Sequence, residues 1–330
     1  MLTSRSFAKN KLFLALALAL KHDILTVGTG QDTRGQTMNP QIEIVADVKT
    51  RLGESPVWSS EEQRLYWVDI LRKRIYRSTE FGAEVRCWVT PSEVGCLGLR
   101  KSGGAVLGLQ TGFHFIDFQS GELAYISNPL SDFPENRFND GKVDRQGRFV
   151  AGSMRQGSSP KGSAKLFLLD HKLKVQELAK GFDVVNGPCW NRRGDLIYFT
   201  DSEQSTVFTA DYDQQRTEIG KVKTVYNAEH SGVPDGATID EEGFYWQARA
   251  FAGEIIRLSP EGRIVSSFKM PINNITSLCF GGANMDRLFA TSMGTKNSDD
   301  QKLDSSITRG SIFSVSGLGI RGIPESLFLG

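Results

Sequence analysis

Three separated segments of the sequence place an oxygen-bearing side chain next to a glycine, just ahead of a run of apolar residues. Glu54 lies in LGESPVW, Asn186 in NGPCW and Asp235 in PDGATID. In isolation each is an ordinary turn residue, and Glu54 in particular has the character of a solvated one. Two carboxylates and an amide are nevertheless the ligands that a hard divalent cation such as Ca²⁺, Mg²⁺ or Mn²⁺ prefers, with Zn²⁺ a less favoured alternative.

The segment at residues 136–154, NRFNDGKVDRQGRFVAGSM, carries a second set of polar groups. Arg137, Asn139 and Asp140 precede Gly141, and alternating apolar residues follow at once. Polar groups at the mouth of a strand are typical of a loop site on a rigid sheet, although an Asn-Asp-Gly turn is also ordinary loop chemistry. We therefore treat Arg137 and Asn139 as candidate site residues, and we interpret Asp140, like Asp201, mainly as a turn or supporting group.

One pattern recurs six times from Gln41 onward: a turn, a short aromatic or β-branched run, a polar gap and a second short run. The two runs of each unit begin at residues 64 and 74, 104 and 113, 147 and 165, 195 and 206, 243 and 254, and 287 and 310. A period of about 40 to 50 residues is that of a four-stranded propeller blade. No amphipathic helix pattern interrupts the units, which excludes a βαβ fold. The sequence therefore predicts an all-β, six-bladed β-propeller.

A closed ring of blades makes further predictions. The strand at residues 43–48 should pair with the last unit, so that both edges of the sheet are hidden. Equivalent loops of the blades should converge on one end of the central channel, bringing Glu54, Asn186 and Asp235 to face the loop of Arg137 and Asn139. The tryptophans in or beside the repeated strands are predicted to form core between blades: Trp58, Trp67, Trp190 and Trp246.

Composition narrows the class of partner. The 330-residue chain has a formal net charge of +1 and scattered basic residues, so no electrostatic footprint for nucleic acid stands out and a neutral small molecule fits better. The four cysteines lack any C-x-x-C pair and are predicted to be reduced core thiols. Motifs for a P-loop, an H-E-x-x-H zinc site and a nucleophilic serine are absent from the sequence. We expect a monomer or weak homodimer that engages neither nucleic acid nor membrane.

Residues 1–37 differ from the rest of the chain. Arg5, Lys9 and Lys11 precede an apolar run at residues 12–20, as in a signal peptide, but the run is short and no small-x-small cleavage site follows it. The run is also too short to span a bilayer. We predict a disordered extension over residues 1–37 and a propeller domain over residues 38–330 in the cytoplasm, with a periplasmic location as the alternative if the extension is a signal peptide.

The separated motifs together resemble one protein family. LGESPVW, the segment at residues 136–154, NGPCW, PDGATID, CFGG and GIRGIPE are similar, in this order over residues 41–330, to the SMP-30/gluconolactonase/LRE-like (regucalcin) family. The resemblance implies a six-bladed propeller with one divalent metal in its channel. It also implies hydrolysis of a sugar lactone, such as glucono-, arabinono- or xylonolactone, to the aldonic acid.

The same resemblance implies roles for individual residues. Glu54, Asn186 and Asp235 match the metal ligands, Asp235 also matches the general base, and Arg137 and Asn139 match residues that hold the sugar hydroxyls. One departure is the RQG sequence at residues 155–157, where related proteins often carry an acid. This difference leaves the preferred sugar open.

Other readings of these residues stay open at the level of sequence. The chain could be a non-catalytic calcium-binding or docking propeller, or a phosphotriesterase built on the same scaffold. The base could be Asp235, or the cation alone could activate the attacking water, because metal ligation lowers the basicity of a carboxylate. Arg137 could instead form a structural ion pair between blades.

Overall fold

The computed structural model describes residues 25–26, 30–31, 37–228, 232–294 and 309–330, and the regular structure of these residues is β-strand. Aromatic and β-branched runs separated by glycine-containing turns form these strands, because such residues pack well on a pleated surface. The strands assemble into six antiparallel blades of four main strands each. The predicted all-β, six-bladed β-propeller is therefore confirmed.

The strands occupy equivalent places in every blade. The innermost strands of blades 1 to 6 are β5 (Gly53–Ser59), β9 (Val94–Leu99), β13 (Arg137–Val143), β17 (Val185–Trp190), β22 (Val233–Ile239) and β26 (Ile275–Gly281). The second strands are β6 (Arg64–Asp69), β10 (Ala105–Leu109), β14 (Phe149–Met154), β18 (Leu196–Asp201), β23 (Tyr245–Ala250) and β27 (Arg287–Ser292). The third are β7 (Arg74–Ser78), β11 (Gly112–Ile116), β15 (Ala164–Leu169), β19 (Thr206–Asp213), β24 (Glu254–Leu258) and β28 (Ile312–Ser316).

The outer strands are less buried than the inner ones. They are β8 (Arg86–Val89), β12 (Leu123–Ser127), β16 (Val175–Phe182), β21 (Lys223–Asn227), β25 (Ile264–Lys269) and β4 (Gln41–Ala46). Four short strands complete the described set: β1 (Leu25–Thr26), β2 (Gly30–Gln31), β3 (Thr37–Met38) and β20 (Glu218–Ile219). The innermost strands contact one another in the cyclic order β5, β9, β13, β17, β22, β26 and back to β5, so they form the wall of the central channel.

The ring closes as the sequence predicted. Strand β4, from the start of the propeller, pairs antiparallel with β28, from its end, and Ile44 lies opposite Phe313. Ile42 and Phe313 are fully buried in the same hydrophobic cluster. The observed strand spans Gln41–Ala46, slightly earlier than predicted. Closure gives hydrogen-bond partners to the backbone groups at both sheet edges, and it fixes the first and last blades to each other.

The C-terminal tail crosses the end of the channel at which the innermost strands finish. The backbone nitrogen of Phe328 donates to Leu99 O at 2.8 Å, beside the end of β9, and that of Gly322 donates to Met285 O at 2.8 Å. Glu325 forms a buried ion pair with Lys142 of β13, with Oε1 at 2.9 Å from Nζ. The tail therefore ties several blades together on this face, and the opposite face is left as the entrance.

Each innermost strand carries an irregularity in its pairing near its start. The register of β5, β13, β17, β22 and β26 shifts between residues 54 and 57, 138 and 141, 186 and 189, 234 and 237, and 275 and 278, respectively. A β-bulge of this kind bends a strand and redirects a side chain. The candidate residues Glu54, Asn139, Asn186 and Asp235 all lie at these shifts.

Two sequence predictions concern the core. Trp58, Trp67, Trp190 and Trp246 are all buried, and Trp58 of blade 1 stacks on Phe289 of blade 6 with ring centroids 5.5 Å apart. All four cysteines are free thiols, as predicted. The prediction that all four lie in the core is wrong for Cys87, which is exposed on the outer strand β8, where only one face of the blade is covered.

Most of the predicted N-terminal extension, residues 1–37, lies outside the described residues. Of its described parts, Leu25 pairs with Ile42 of β4, and β2 pairs with β3. No helix in the described part of the chain is long and apolar enough to cross a membrane.

Gly95 tests how closely the channel wall is packed. It is the extra residue of β9, and a Cβ built on it would lie 2.2 Å from the carbonyl oxygen of Phe138 in β13. We expect Gly95→Ala to lower the free energy of unfolding by about 1–3 kcal/mol, because neither backbone can move freely. Urea unfolding measures this change.

Gly220→Ala is the matched control, since its added Cβ would meet its nearest neighbour, Asp211 Cβ, at an ordinary 3.4 Å. Equal stability of the two variants would show that blades 2 and 3 are not held in close contact.

Candidate active site

The residues predicted from the sequence meet in one cavity at the entrance of the channel. This channel cavity has a volume of about 430 Å³. Its polar lining comes from blades 1, 3, 4 and 5 and consists of Glu54, Arg137, Asn139, Asn186, Ser202, Glu203, Ser205 and Asp235. All five candidate residues are thus brought together, because each lies at the start of an innermost strand.

A chain of hydrogen bonds sets the orientation of the two amide side chains. Arg137 Nη1 donates to Asn139 Oδ1 at 2.9 Å, and Asn139 Nδ2 donates to Asn186 Oδ1 at 2.9 Å and to Val185 O at 3.1 Å. The remaining lone pair of Asn186 Oδ1 can therefore bind a further donor or a cation. The amide of Asn186 is held in the orientation that a metal ligand needs.

Arg137 also makes the inter-blade ion pair that was the alternative reading of this residue. Its Nε lies 3.2 Å from Glu93 Oε2, which belongs to the loop ahead of β9 in blade 2. Arg137 therefore forms the structural ion pair and also lines the cavity. Because Arg137 is buried and partly neutralised by Glu93, it contributes a directed donor more than a free positive charge.

The electrostatics of the site are dominated by carboxylates that are partly or fully removed from solvent. Burial raises the pKa of Glu54 well above its usual range, and the negative charges of Asp235 and Asp140 raise it further. Burial and the charge of Asp140 likewise raise the pKa of Asp235 well above its usual range, against the opposing effects of Gly236 N–H and Arg137. The ionised form of both carboxyl groups is therefore disfavoured unless a positive charge is added nearby.

The donor set fits a hard divalent cation better than a transition metal. The described residues contain no cluster of three or more His, Cys, Asp or Glu side chains suited to a metal ion. Glu54, Asn186 and Asp235 instead offer two carboxylates and one amide oxygen, which are the ligand types used for Ca²⁺ and similar ions. Added positive charge would also relieve the elevated pKa values of Glu54 and Asp235, so the residues present fit such a group.

Asp140 and Asp201 have the supporting positions expected of them. Asp140 accepts hydrogen bonds from Gly141 N at 2.8 Å and from Gly187 N at 2.9 Å, so it links β13 to β17. Asp201 accepts from Asp183 N at 2.8 Å and from Val184 N at 3.2 Å. Each carboxylate fixes the backbone beside Asn186 and is buried by doing so.

Ser202 is a site residue that sequence reasoning missed. Its Oγ accepts from Asn186 Nδ2 at 2.8 Å and donates to Pro234 O at 2.6 Å. One hydroxyl therefore connects a proposed ligand in blade 4 to the residue before Asp235 in blade 5. The only signal in the sequence was its place directly after Asp201 at the end of a repeated strand, which does not distinguish it from an ordinary turn serine.

The second missed residue is Glu203, at the entrance of the cavity. Arg155, which follows β14 where an acid was expected, binds Asp183 Oδ1 through Nε at 2.8 Å and pairs with Glu203 through Nη2. Glu203 lines the channel cavity. A carboxylate is thus present at this entrance, but it comes from blade 4. It is paired with Arg155, which occupies the position where related proteins often carry an acid.

Comparison with known proteins agrees with this geometry. Residues 52–294 match the model of the SMP-30/Gluconolactonase/LRE-like region, and the chain belongs to that family. Regucalcin of Xenopus laevis is 35% identical over 301 residues, which cover 88% of this chain and 99% of the relative.

Two solved structures share the fold. A luciferin-regenerating enzyme superposes with a TM-score of 0.81 at 28% identity, covering 88% of this chain and 100% of that one. A calcium-binding protein, regucalcin, from Agrobacterium tumefaciens superposes with a TM-score of 0.80 at 22% identity, covering 86% of this chain and 96% of that one. Membership of the family supports a lactonase-type function for this chain.

The elevated carboxyl pKa values make a prediction about the cation-free protein. Because both pKa values are raised in the folded state, the folded state binds more protons than the unfolded chain above about pH 4. Stability in the presence of a chelator should therefore fall as the pH rises from about 4 through the raised pKa values. Thermal unfolding at a series of pH values measures this slope.

Glu54→Gln should flatten that slope and, at pH 7.5 with chelator present, raise the free energy of unfolding by about 1–3 kcal/mol, because one buried charge is removed. Glu61→Gln, at an exposed turn, is the control. A cation-free protein that becomes more stable toward neutral pH would contradict the electrostatic description.

Ser202→Ala tests the connection between blades 4 and 5. Loss of the hydroxyl frees the amide of Asn186 to rotate, so we expect divalent-cation affinity to weaken about 10- to 100-fold, as for other groups that orient a metal ligand. Calorimetric titration with Ca²⁺ or Mn²⁺ gives the affinity. Ser205→Ala, in the same cavity lining, should change it little, and equal effects of the two variants would remove Ser202 from this role.

Proposed function

We propose that this chain hydrolyses the ester bond of a sugar lactone, with one divalent cation held by Glu54, Asn186 and Asp235. The observation that carries the proposal is the meeting of one buried and one half-buried carboxylate, one oriented amide and two hydroxyl-binding candidates in a single cavity. Family membership supports the lactonase class. The name of the Agrobacterium relative, a calcium-binding protein, supports Ca²⁺ as the first cation to test, ahead of Mg²⁺, Mn²⁺ and Zn²⁺.

The chain's own residues divide the work of the reaction. A bound cation would polarise the lactone carbonyl and stabilise negative charge on its oxygen. Arg137 holds ring hydroxyls through its remaining N–H donors, and Asn139 holds them through its Oδ1, because both of its N–H groups already donate to Val185 O and Asn186 Oδ1. These contacts fix the carbonyl in place. Asp235 is half-buried where Glu54 and Asn186 are buried, so its carboxylate is the one best placed to contact water.

Asp235 is therefore the proposed base. It accepts a proton from the attacking water as the water oxygen bonds to the carbonyl carbon, and it returns that proton to the ring oxygen as the ring C–O bond breaks. The ring oxygen thus becomes a hydroxyl and the carbonyl carbon becomes the carboxyl group of the product. The raised pKa of Asp235 favours proton acceptance, and a neighbouring cation would offset that rise and keep the carboxylate ionised at neutral pH. Burial of the site limits access of competing water to the substrate.

A docking propeller is the less supported alternative. Docking uses the outer faces of the blades and gives no reason to gather carboxylates in the channel, whose burial destabilises them as anions. A phosphotriesterase would share the cation, but the Asn139 amide oxygen and the Arg137 guanidinium suit neutral hydroxyls equally well. No feature of the described residues favours phosphorus over carbon.

The test is hydrolysis of a panel of aldonolactones, followed by acid release, with and without chelator. We expect turnover of at least one lactone, lost with chelator and restored by added cation. Asp235→Asn should lower kcat by about 10²- to 10⁴-fold, because base catalysis is removed. Asp211→Asn, at an exposed position on β19, is the matched control.

Absence of chelator-sensitive hydrolysis for every lactone would favour the docking module. Normal turnover in Asp235→Asn with cation still bound would leave the lactonase in place and remove Asp235 as its base.

A further inference from the structure

An exposed phenylalanine stands at the entrance of the channel cavity and has no part in the chemistry proposed so far. Phe251 follows β23 directly, in the turn that leads to β24, and its side chain lines the cavity. It is 61% exposed. Among the large apolar side chains exposed in the described residues, it is the one that lines this cavity. A single exposed apolar residue is ordinary on a protein surface, but one that lines a cavity is also available to a bound ligand.

The backbone of Phe251 is also strained. Its φ is 66°, in the left-handed region that Gly and Asn adopt readily and that is an outlier for a bulky side chain. The phenyl ring of Phe251 cannot offset this strain by packing in the core, because it is largely exposed. Strained residues of this kind concentrate at ligand sites, and the inference runs from the observed outlier toward a function.

The turn that holds Phe251 is fixed from both sides. Gly253 N donates to Asn273 O at 3.0 Å, Met270 N donates to Gly253 O at 2.8 Å, and Ala252 N donates to Arg249 O at 3.3 Å. These bonds connect the turn to blade 5 and to the start of blade 6. These bonds hold the turn in one conformation, so Phe251 keeps its strained backbone and its side chain lies at the cavity entrance.

Apart from the bulged starts of the innermost strands, the cavity lining is mostly apolar, with Ser202, Glu203 and Ser205 as its polar members. Together with Phe251, the apolar lining consists of Leu52, Ile70, Met154, Val184, Val233 and Ala250. Polar groups that could bind a carbonyl or hydroxyls, such as Glu54, Asn139 and Asp235, belong to the bulged starts of the innermost strands. The cavity therefore combines polar groups at the strand bulges with a larger set of apolar side chains, and a purely polyhydroxylated ring matches only the polar groups.

On this basis, and resting on the proposed lactonase function, we propose that Phe251 contacts the substrate and that this chain accepts lactones bearing an apolar substituent. The lactone carbonyl faces Glu54, Asn186 and Asp235, and the substituent lies against the ring of Phe251. The aromatic face supplies contact area at little cost in side-chain entropy, as is usual for binding surfaces. Phe251 is thus a specificity-determining residue.

The experiment uses the full chain with its cation and a series of γ-lactones with alkyl chains of increasing length, from γ-valerolactone to γ-octalactone. We expect kcat/KM of the wild type to rise roughly tenfold across the series, less than complete burial of the added methylenes would give. In Phe251→Ala the rise should shrink to about twofold or less. Phe81→Ala, which removes a half-exposed phenylalanine that does not line the cavity, should retain the wild-type rise.

A stability measurement separates a binding role from a structural one. Phe251→Asn removes the ring and adopts the left-handed conformation easily, so its Tm should rise by about 1–3 °C, whereas Phe251→Ala keeps the strain. A ring that served the fold would instead lower the Tm of both variants. A fall in Tm for Phe251→Asn, or an unchanged chain-length series in Phe251→Ala, would overturn the proposal.

The outcomes for the two proposals are distinct. Hydrolysis of γ-valerolactone or an aldonolactone with no gain from the alkyl chain would overturn the apolar subsite and leave the lactonase intact. Absence of hydrolysis for every lactone, with cation present, would overturn both.

Discussion

The central constraint on this structure is that several carboxylates lie close together in a channel cavity with limited access to solvent. Glu54 of blade 1 and Asp235 of blade 5 share the channel cavity, and Asp140 of blade 3 raises the pKa of both. The nearest guanidinium, Arg137, is already engaged with Glu93. Such an arrangement destabilises the folded protein unless a cation is added. The proposed divalent ion would offset this repulsion, so its binding would stabilise the folded protein.

Holding these groups in place requires contributions from the whole ring. No single blade contains two of the proposed ligands, so their separation is set by how neighbouring blades pack. Closure of β4 onto β28 fixes blades 1 and 6, the C-terminal tail ties the far face, and close backbone contacts such as that of Gly95 with Phe138 fix the inner wall. Ser202 adds a local connection between Asn186 and Pro234. Rigid blades thus place loop-like bulges with the precision that a metal site needs.

The sequence predicted the parts of this arrangement that repeat. Six copies of a pattern with two short apolar runs predicted six blades. The additional strand before the first copy predicted that the ring closes by pairing with the last blade. Equivalent positions ahead of repeated strands gave Glu54, Asn186 and Asp235, because a ring brings equivalent loops to one end of its channel. Cys87 was misplaced because an outer strand alternates between covered and open faces, and the pattern of one short strand does not say which face is covered.

Other features could not be predicted because they depend on contacts between blades. Ser202 acts through Pro234 of the next blade, and the position of Glu203 depends on Arg155 and on the packing of β14 against β17. The left-handed conformation of Phe251 is set by hydrogen bonds to residues near 270, which no local pattern encodes. Phenylalanine is also a residue that local preference would exclude from this conformation. Strain of this kind becomes visible only when the tertiary structure is known, and it is where local preference and function disagree.

The most direct test of the central claim is a crystal of the protein soaked with Mn²⁺ and examined in an anomalous difference map. We expect one strong peak in the channel, within about 2.0–2.6 Å of oxygen atoms of Glu54, Asn186 and Asp235. A map with no peak there at saturating Mn²⁺, or with the ion bound by other residues, would contradict it.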